Sequence, residues 1–211
     1  MELTDWNFWH APYDDPGSSL SRRLRIIQQH LRTWLDDSSP RDVQVLSLCA
    51  GDARDLIDVL KERDDAARVS GVLVELDSRS CARAAAALAE AALHSVVVRE
   101  GDAADSSLVA DSVPADLVLL AGVFGNVSDD DVRRTIEALP MMCKPDAAVI
   151  WTRHRNAPDL TPAVRHFLLE AGFEEKDFTA PADAVFSVGL HRYHGRTQPW
   201  APPGALFTFI R

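Results

Sequence analysis

The chain has 211 residues, 46% of them hydrophobic, and a formal charge of -10 from 22 Lys and Arg against 32 Asp and Glu. That length suffices for one sizeable core and is short for two, so a single domain over 1–211 is expected. The acidic balance, with no Lys/Arg block, argues against nucleic acid or an anionic membrane surface and leaves small molecules as partners, with monomer and homodimer both open.

The start, Met1 to Trp6, has no basic head or apolar core, and no apolar run reaches membrane-spanning length, so a cytoplasmic protein is expected. Trp6, Trp9, His10, Pro12 and Tyr13 then make an aromatic segment that either packs on the domain or forms a lid over a cleft. Ser18 is placed to cap a helix whose stripe is Leu20, Leu24, Ile27, Leu31 and Trp34; residues 1–36 thus form an N-terminal cap segment and helix.

A core region over 43–155 follows. Val45 to Ala50 is an apolar run that stops at Gly51 and resumes as Leu56, Val59 and Leu60 at helical spacing: buried strand, tight turn, helix. Such a turn can aim backbone N–H groups at an anion, or it can be an ordinary strand-to-helix loop. Arg68 to Asp77 is a second strand ending in acid, followed by an alanine-rich helix from about Ser78 to Leu93. Val96 to Val98 leads to Gly101-Asp102-Ala103, and Ala115 to Leu120 leads to Ala121-Gly122 and on to Asn126. Ser128 with Asp129, Asp130 and Asp131 starts a helix that Pro140 should stop, and Ala147 to Trp151 is a fifth apolar run. Over 156–211, Thr161-Pro162 opens a helix that Gly172 closes. Phe173 to Phe178, Val185 to His191 and Leu206 to Ile210 read as strands. The expected fold is α/β: a Rossmann-like, doubly wound, mostly parallel sheet with an antiparallel C-terminal edge and helices on both faces.

In such a sheet the cleft lies beyond the carboxyl ends of the strands. Glu75 at the second end suits a ribose diol and Asp102 at the third an exocyclic adenine amine, whereas Asp77, next to a helix start, reads as an N-cap. Cys49, Cys81 and Cys143 are odd in number and apart, and His191-Arg-Tyr-His194 is too sparse, so no metal is expected. The turn lacks three glycines and no Tyr-x-x-x-Lys is present, which disfavours a nicotinamide cofactor.

From Val43 to Thr152 the order Leu46 to Ala53, Glu75, Gly101-Asp102-Ala103 and Asp116 to Asn126 resembles the signature of class I S-adenosylmethionine-dependent methyltransferases, and Gly172-Phe173 fits its sixth strand. The resemblance implies S-adenosyl-L-methionine as cofactor, contacted by Ser47, Ala50, Gly51, Asp52, Glu75, Leu76, Asp102, Ala103, Ala121 and Gly122. Two glycines of the family turn are replaced here, by Cys49 and Ala53. The acceptor side implied is Trp9, Phe124, Asn126 and Arg153, with His10, Tyr13 and His154 as candidate catalytic groups. A methyl transfer to a small molecule is expected; the same pocket can also serve a non-methylating reaction such as cyclisation, or simple adenosyl-ligand binding.

Overall fold

A computed structural model describes residues 15–201 and 204–210. Its core is one seven-stranded sheet. The strands are β1 (Val43–Leu48), β2 (Val69–Glu75), β3 (Val96–Glu100), β4 (Ala115–Leu120), β5 (Cys143–His154), β6 (Phe173–Thr179) and β7 (Phe186–Tyr193), in the order β3-β2-β1-β4-β5-β7-β6. β1 to β5 are mutually parallel, and β7 runs antiparallel to both β5 and β6. This is the doubly wound sheet with an antiparallel edge that the alternation of apolar runs and amphipathic stripes predicts.

Each central strand is apolar on both sides because both sides are covered. Val43, Val45, Leu117, Leu119 and Ile150 face α1 (Ser19–Ser38), α2 (Arg54–Lys61) and α3 (Ser78–Glu90). Leu46, Leu48, Val118, Leu120 and Trp151 face α4 (Asp129–Met142) and α5 (Thr161–Glu170). Ser18 caps α1 by accepting from the Ser21 N–H. In that helix Ile27, Leu31 and Leu35 are the buried stripe, while Trp34, expected in the core, is only half-buried. Trp151 lies wholly inside, and room for its indole comes from Gly189, its cross-strand partner on β7, where an added Cβ would sit 2.4 Å from the ring.

Three boundaries differ from expectation. Pro140 does not stop α4, which continues to Met142; a proline in the last turn removes few helical bonds, and its carbonyl accepts from the Gln198 N–H. β5 runs from Cys143 to His154, well beyond the apolar run Ala147 to Trp151, because β7 pairs along its far end. Leu206 to Ile210 is not a strand of the sheet. That segment instead makes isolated bridges, Ala205 to Asp105 and Phe209 to Val127, with Leu206 and Phe207 buried beneath it. Its alternation reflects packing on the α4 face rather than ladder formation.

At the amino end of the sheet the buried Asp116 carboxylate accepts from the Gln44 N–H at 2.8 Å, Arg41 at 2.9 Å and Lys144 at 2.7 Å. It fastens β4 to β1 and β5 at the rim opposite the strand ends considered next. No described helix is long and apolar enough to cross a membrane.

Candidate functional site

The strand order reverses at β1, with β2 on one side and β4 on the other, so the crevice lies above the carboxyl ends of β1 and β4. The loop leaving β1 bends sharply: Cys49, Gly51 and Ala53 all have positive φ, at 58°, 60° and 55°. Two of the three carry a Cβ and therefore occupy a region costly for L-residues. The turn thus keeps a glycine-type backbone with non-glycine residues at Cys49 and Ala53.

The turn's N–H groups are largely committed. Ala50 donates to the Val74 carbonyl at 3.0 Å, Ala53 to the Ala50 carbonyl at 2.9 Å, and Gly51 to Glu75 Oε2 at 2.8 Å. An anion held by these three donors, one reading of the sequence, is therefore excluded. Asp52 and Arg54 pair with each other at 2.7 Å. Ser47, one residue before the end of β1, is buried within the sheet.

Glu75 ends β2 half-buried. Its Oε2 accepts from Gly51 and its Oε1 from the Leu76 and Asp77 N–H groups at 2.9 and 2.8 Å, which fixes the carboxylate at the rim with lone-pair capacity left over. Asp77 caps α3 through the Ser80 N–H, so its role is structural, as its position predicts. Leu76 is 60% exposed, an unusual place for a leucine unless something covers it. On the neighbouring loop Asp102 is exposed and folds its own turn by accepting from the Ala104 N–H at 2.9 Å, and Ala103 is buried. Burial, helped by the negative fields of Glu75 and Asp102, pushes the Cys49 thiol well above its usual range. All three elements therefore meet at one rim.

Beyond β4, Gly122 has φ 87° and open space where a side chain would project. Its N–H donates to Thr152 Oγ1 at 2.8 Å, and its carbonyl accepts from Asn126 Nδ2 at 2.6 Å. Both backbone groups of Gly122 are held, so Asn126 supports the loop. Thr152 stands at the end of the fifth apolar run, and its only sequence signal is that of a polar residue closing that run. Phe124 is fully buried against Trp151, with ring centroids 6.0 Å apart. Arg153 is also buried, donating to the Phe124 carbonyl and to Asp129. Neither side chain presents open surface, since both brace the β4–α4 loop from within. His154 is half-buried beside Gly125. Trp9, His10 and Tyr13 lie outside the described residues.

The C-terminal segment borders the same rim. Leu206 N–H donates to the Ala104 carbonyl and Ile210 N–H to the Asn126 carbonyl, at 3.0 and 2.9 Å. Thr208 N–H donates to Asp131 at 3.0 Å. Among the described residues no group of three His, Cys, Asp or Glu is placed to hold a metal ion.

No protein-family model matches the sequence, and no curated protein matches it. Solved structures do match. An O-methyltransferase family protein from Burkholderia thailandensis is similar with TM-score 0.67 and 16% identity over 91% of this chain and 61% of that one. The CurJ carbon methyltransferase is similar with TM-score 0.71 and 13% identity over 90% and 59%. The magnesium protoporphyrin IX methyltransferase of Synechocystis PCC 6803, solved with bound SAM, gives TM-score 0.65 and 12% identity over 90% and 91%. The chain thus spans about three-fifths of the first two. Its fold is that of the class I methyltransferases.

Proposed function

We propose that this chain binds S-adenosyl-L-methionine above β1 and β4 and transfers its methyl group to a small molecule. The observation that carries the reading is the meeting of the Gly51 turn, the fixed Glu75 carboxylate and the Asp102 loop at the switch point of this fold. The residues fit the group. Glu75 keeps acceptor capacity for two ribose hydroxyls, Leu76 offers a bare apolar surface to adenine, and Asp102 can accept from its amine. The space above Gly122 gives the methionyl part room that a side chain would fill.

When bound, the cofactor supplies an electrophilic methyl on a sulfonium. The protein's work is to hold the acceptor in line with it and keep water away, and positioning can supply much of the rate. Thr152 and Asn126 do so by fixing the backbone N–H and carbonyl of Gly122, and Arg153 by bracing the loop that follows. A hydroxyl or phenol acceptor needs a proton acceptor, for which His10, Tyr13 and His154 are the candidates, whereas a neutral amine can lose its proton afterwards.

Calorimetric titration with S-adenosylmethionine, S-adenosylhomocysteine and NADH tests the reading. Both adenosyl ligands should bind and NADH should not. No binding of either at millimolar concentration overturns it, and binding without demethylation of the cofactor across an acceptor panel removes the transfer step.

A further inference from the structure

An adenosyl ligand with an amino-acid tail brings both an ammonium and a carboxylate to the crevice, and the protein does not receive them alike. The helix after the Gly51 turn, α2, starts at Ala53, which has no side-chain oxygen to cap it. Asp55, its second residue, supplies an anion from within. Its Oδ1 accepts from the Leu56 N–H at 2.8 Å, and its own N–H adds to that hold. The side chain is buried, which raises its pKa to about 6 and leaves it ionised at pH 8. The positive end of α2, where an incoming carboxylate is ordinarily favoured, is therefore already occupied by a negative charge.

Donors along the turn are spent on the protein itself: Ala50 on the Val74 carbonyl, Gly51 on Glu75, Ala53 on the Ala50 carbonyl and Ile57 on the Ala53 carbonyl. At the end of β4 the Gly122 N–H goes to Thr152, while its carbonyl, which accepts from Asn126, keeps a second lone pair. That strand end offers an acceptor and withholds its donor. The charges lean the same way. Around the turn stand four acids, Asp52, Asp55, Glu75 and Asp102, against two arginines: Arg54, bound to Asp52 at 2.7 Å, and Arg23, whose field falls on Asp55. Residues 1–14 bring no Lys or Arg and three further acids, Glu2, Asp5 and Asp14. Acceptors and negative charge suit an ammonium and oppose a carboxylate.

We propose that the crevice recognises its ligand through the adenosine and the amine, and that the ligand's carboxylate lowers its affinity. The class of compound it takes is then the adenosyl thioethers and sulfonium compounds with a cationic side chain, the carboxylate-free member binding more tightly. This rests on the cofactor reading above, and its test separates the two.

Calorimetry on the full chain at pH 8 compares S-adenosylhomocysteine, its decarboxylated analogue S-adenosyl-3-thiopropylamine, and 5′-methylthioadenosine, which has neither charge. The decarboxylated analogue should bind at least about threefold more tightly than S-adenosylhomocysteine, because a charge of the same sign as the neighbouring acids is gone. 5′-Methylthioadenosine should stay within about tenfold of S-adenosylhomocysteine, whereas a tail held by two charge-assisted hydrogen bonds would open a gap of roughly 100-fold or more. Asp55→Asn keeps an acceptor for the Leu56 N–H and removes the charge, so it should raise S-adenosylhomocysteine affinity and narrow its gap to the decarboxylated analogue. Asp52→Asn, nearer the solvent, should narrow the gap too and keeps the test open where the buried substitution unsettles the fold. S-adenosylhomocysteine binding more tightly than its decarboxylated analogue, a gap unmoved by both substitutions, or 5′-methylthioadenosine weaker by more than about tenfold would each overturn the proposal and leave the cofactor reading standing. Binding of none of the three overturns that reading and the proposal with it.

Discussion

The Gly51 N–H donates to Glu75 Oε2 at 2.8 Å, tying the turn after β1 to the tip of β2. The same carboxylate gathers the Leu76 and Asp77 N–H groups, so one side chain sets the shape of two adjacent strand ends. Removing it takes away both the shape and the ribose acceptor. Glu75→Ala should therefore weaken S-adenosylhomocysteine binding by about 100-fold, the effect of losing two hydrogen bonds to a charged group. Calorimetry on a variant with native circular dichroism checks this, and unchanged affinity means the ribose does not lie there.

Cys49 and Ala53 hold left-handed conformations that cost about 1–2 kcal/mol each. Glycine relieves that cost but adds about 0.5–1 kcal/mol of unfolded-state entropy. Cys49 is half-buried with its side chain packed on the core, so the burial it gives up offsets most of the relieved strain, and Cys49→Gly should change stability by no more than about 0.5 kcal/mol. At Ala53, 1% exposed, the lost methyl costs about another 0.8 kcal/mol, so Ala53→Gly should be near neutral. Thermal melts of both variants check this, and a loss of several degrees in either would show that the turn is not strained there.

Trp151 Nε1 donates to His191 Nδ1 at 3.2 Å inside the sheet. Burial lowers the His191 pKa to about 4, with Glu175 pulling weakly the other way. The unfolded chain, with its histidine near 6.5, takes up the proton first, so stability is full above pH 6.5 and is lost as pH falls toward 4. This one group should cost about 2 kcal/mol at pH 5 relative to pH 7.5. His191→Asn keeps an acceptor for the indole and removes the titration; urea unfolding of that variant should show a flatter acid limb. An identical limb would assign the loss to other groups.

Asp116 is 2% exposed, while its cationic partners Arg41 and Lys144 reach solvent, at 57% and 37% of their side chains. Truncation strands the Gln44 N–H rather than a buried charge. Asp116→Ala should therefore cost about 1–3 kcal/mol, the penalty of an unmet buried donor, not the larger penalty of a broken buried ion pair. Denaturant midpoints report it. Cofactor affinity should be unaffected, since the residue sits at the opposite rim.

The doubly wound, mostly parallel sheet, its antiparallel edge and the two-faced core were legible because β1 to β5 announce themselves as apolar runs between amphipathic stripes, whereas the order of the strands within the sheet was not. Glu75 and Asp102 were legible as acids where apolar runs end. What escaped depends on distant partners: Thr152 meets Gly122 only through strand pairing, and Arg153 is drawn inward by the Phe124 carbonyl, which no local pattern reveals. The strand-like alternation at 206–210 misleads for the same reason, because its neighbours are loops and a helix rather than a sheet edge.

That seven-residue strip, 204–210, is bonded to the loop after β3 through Ala104 and to the loop after β4 through Asn126. The two margins of the crevice consequently share one fastening and should breathe in concert. A ligand that quiets either margin will slow amide exchange at the other, across a span that no single helix or strand of the sheet bridges.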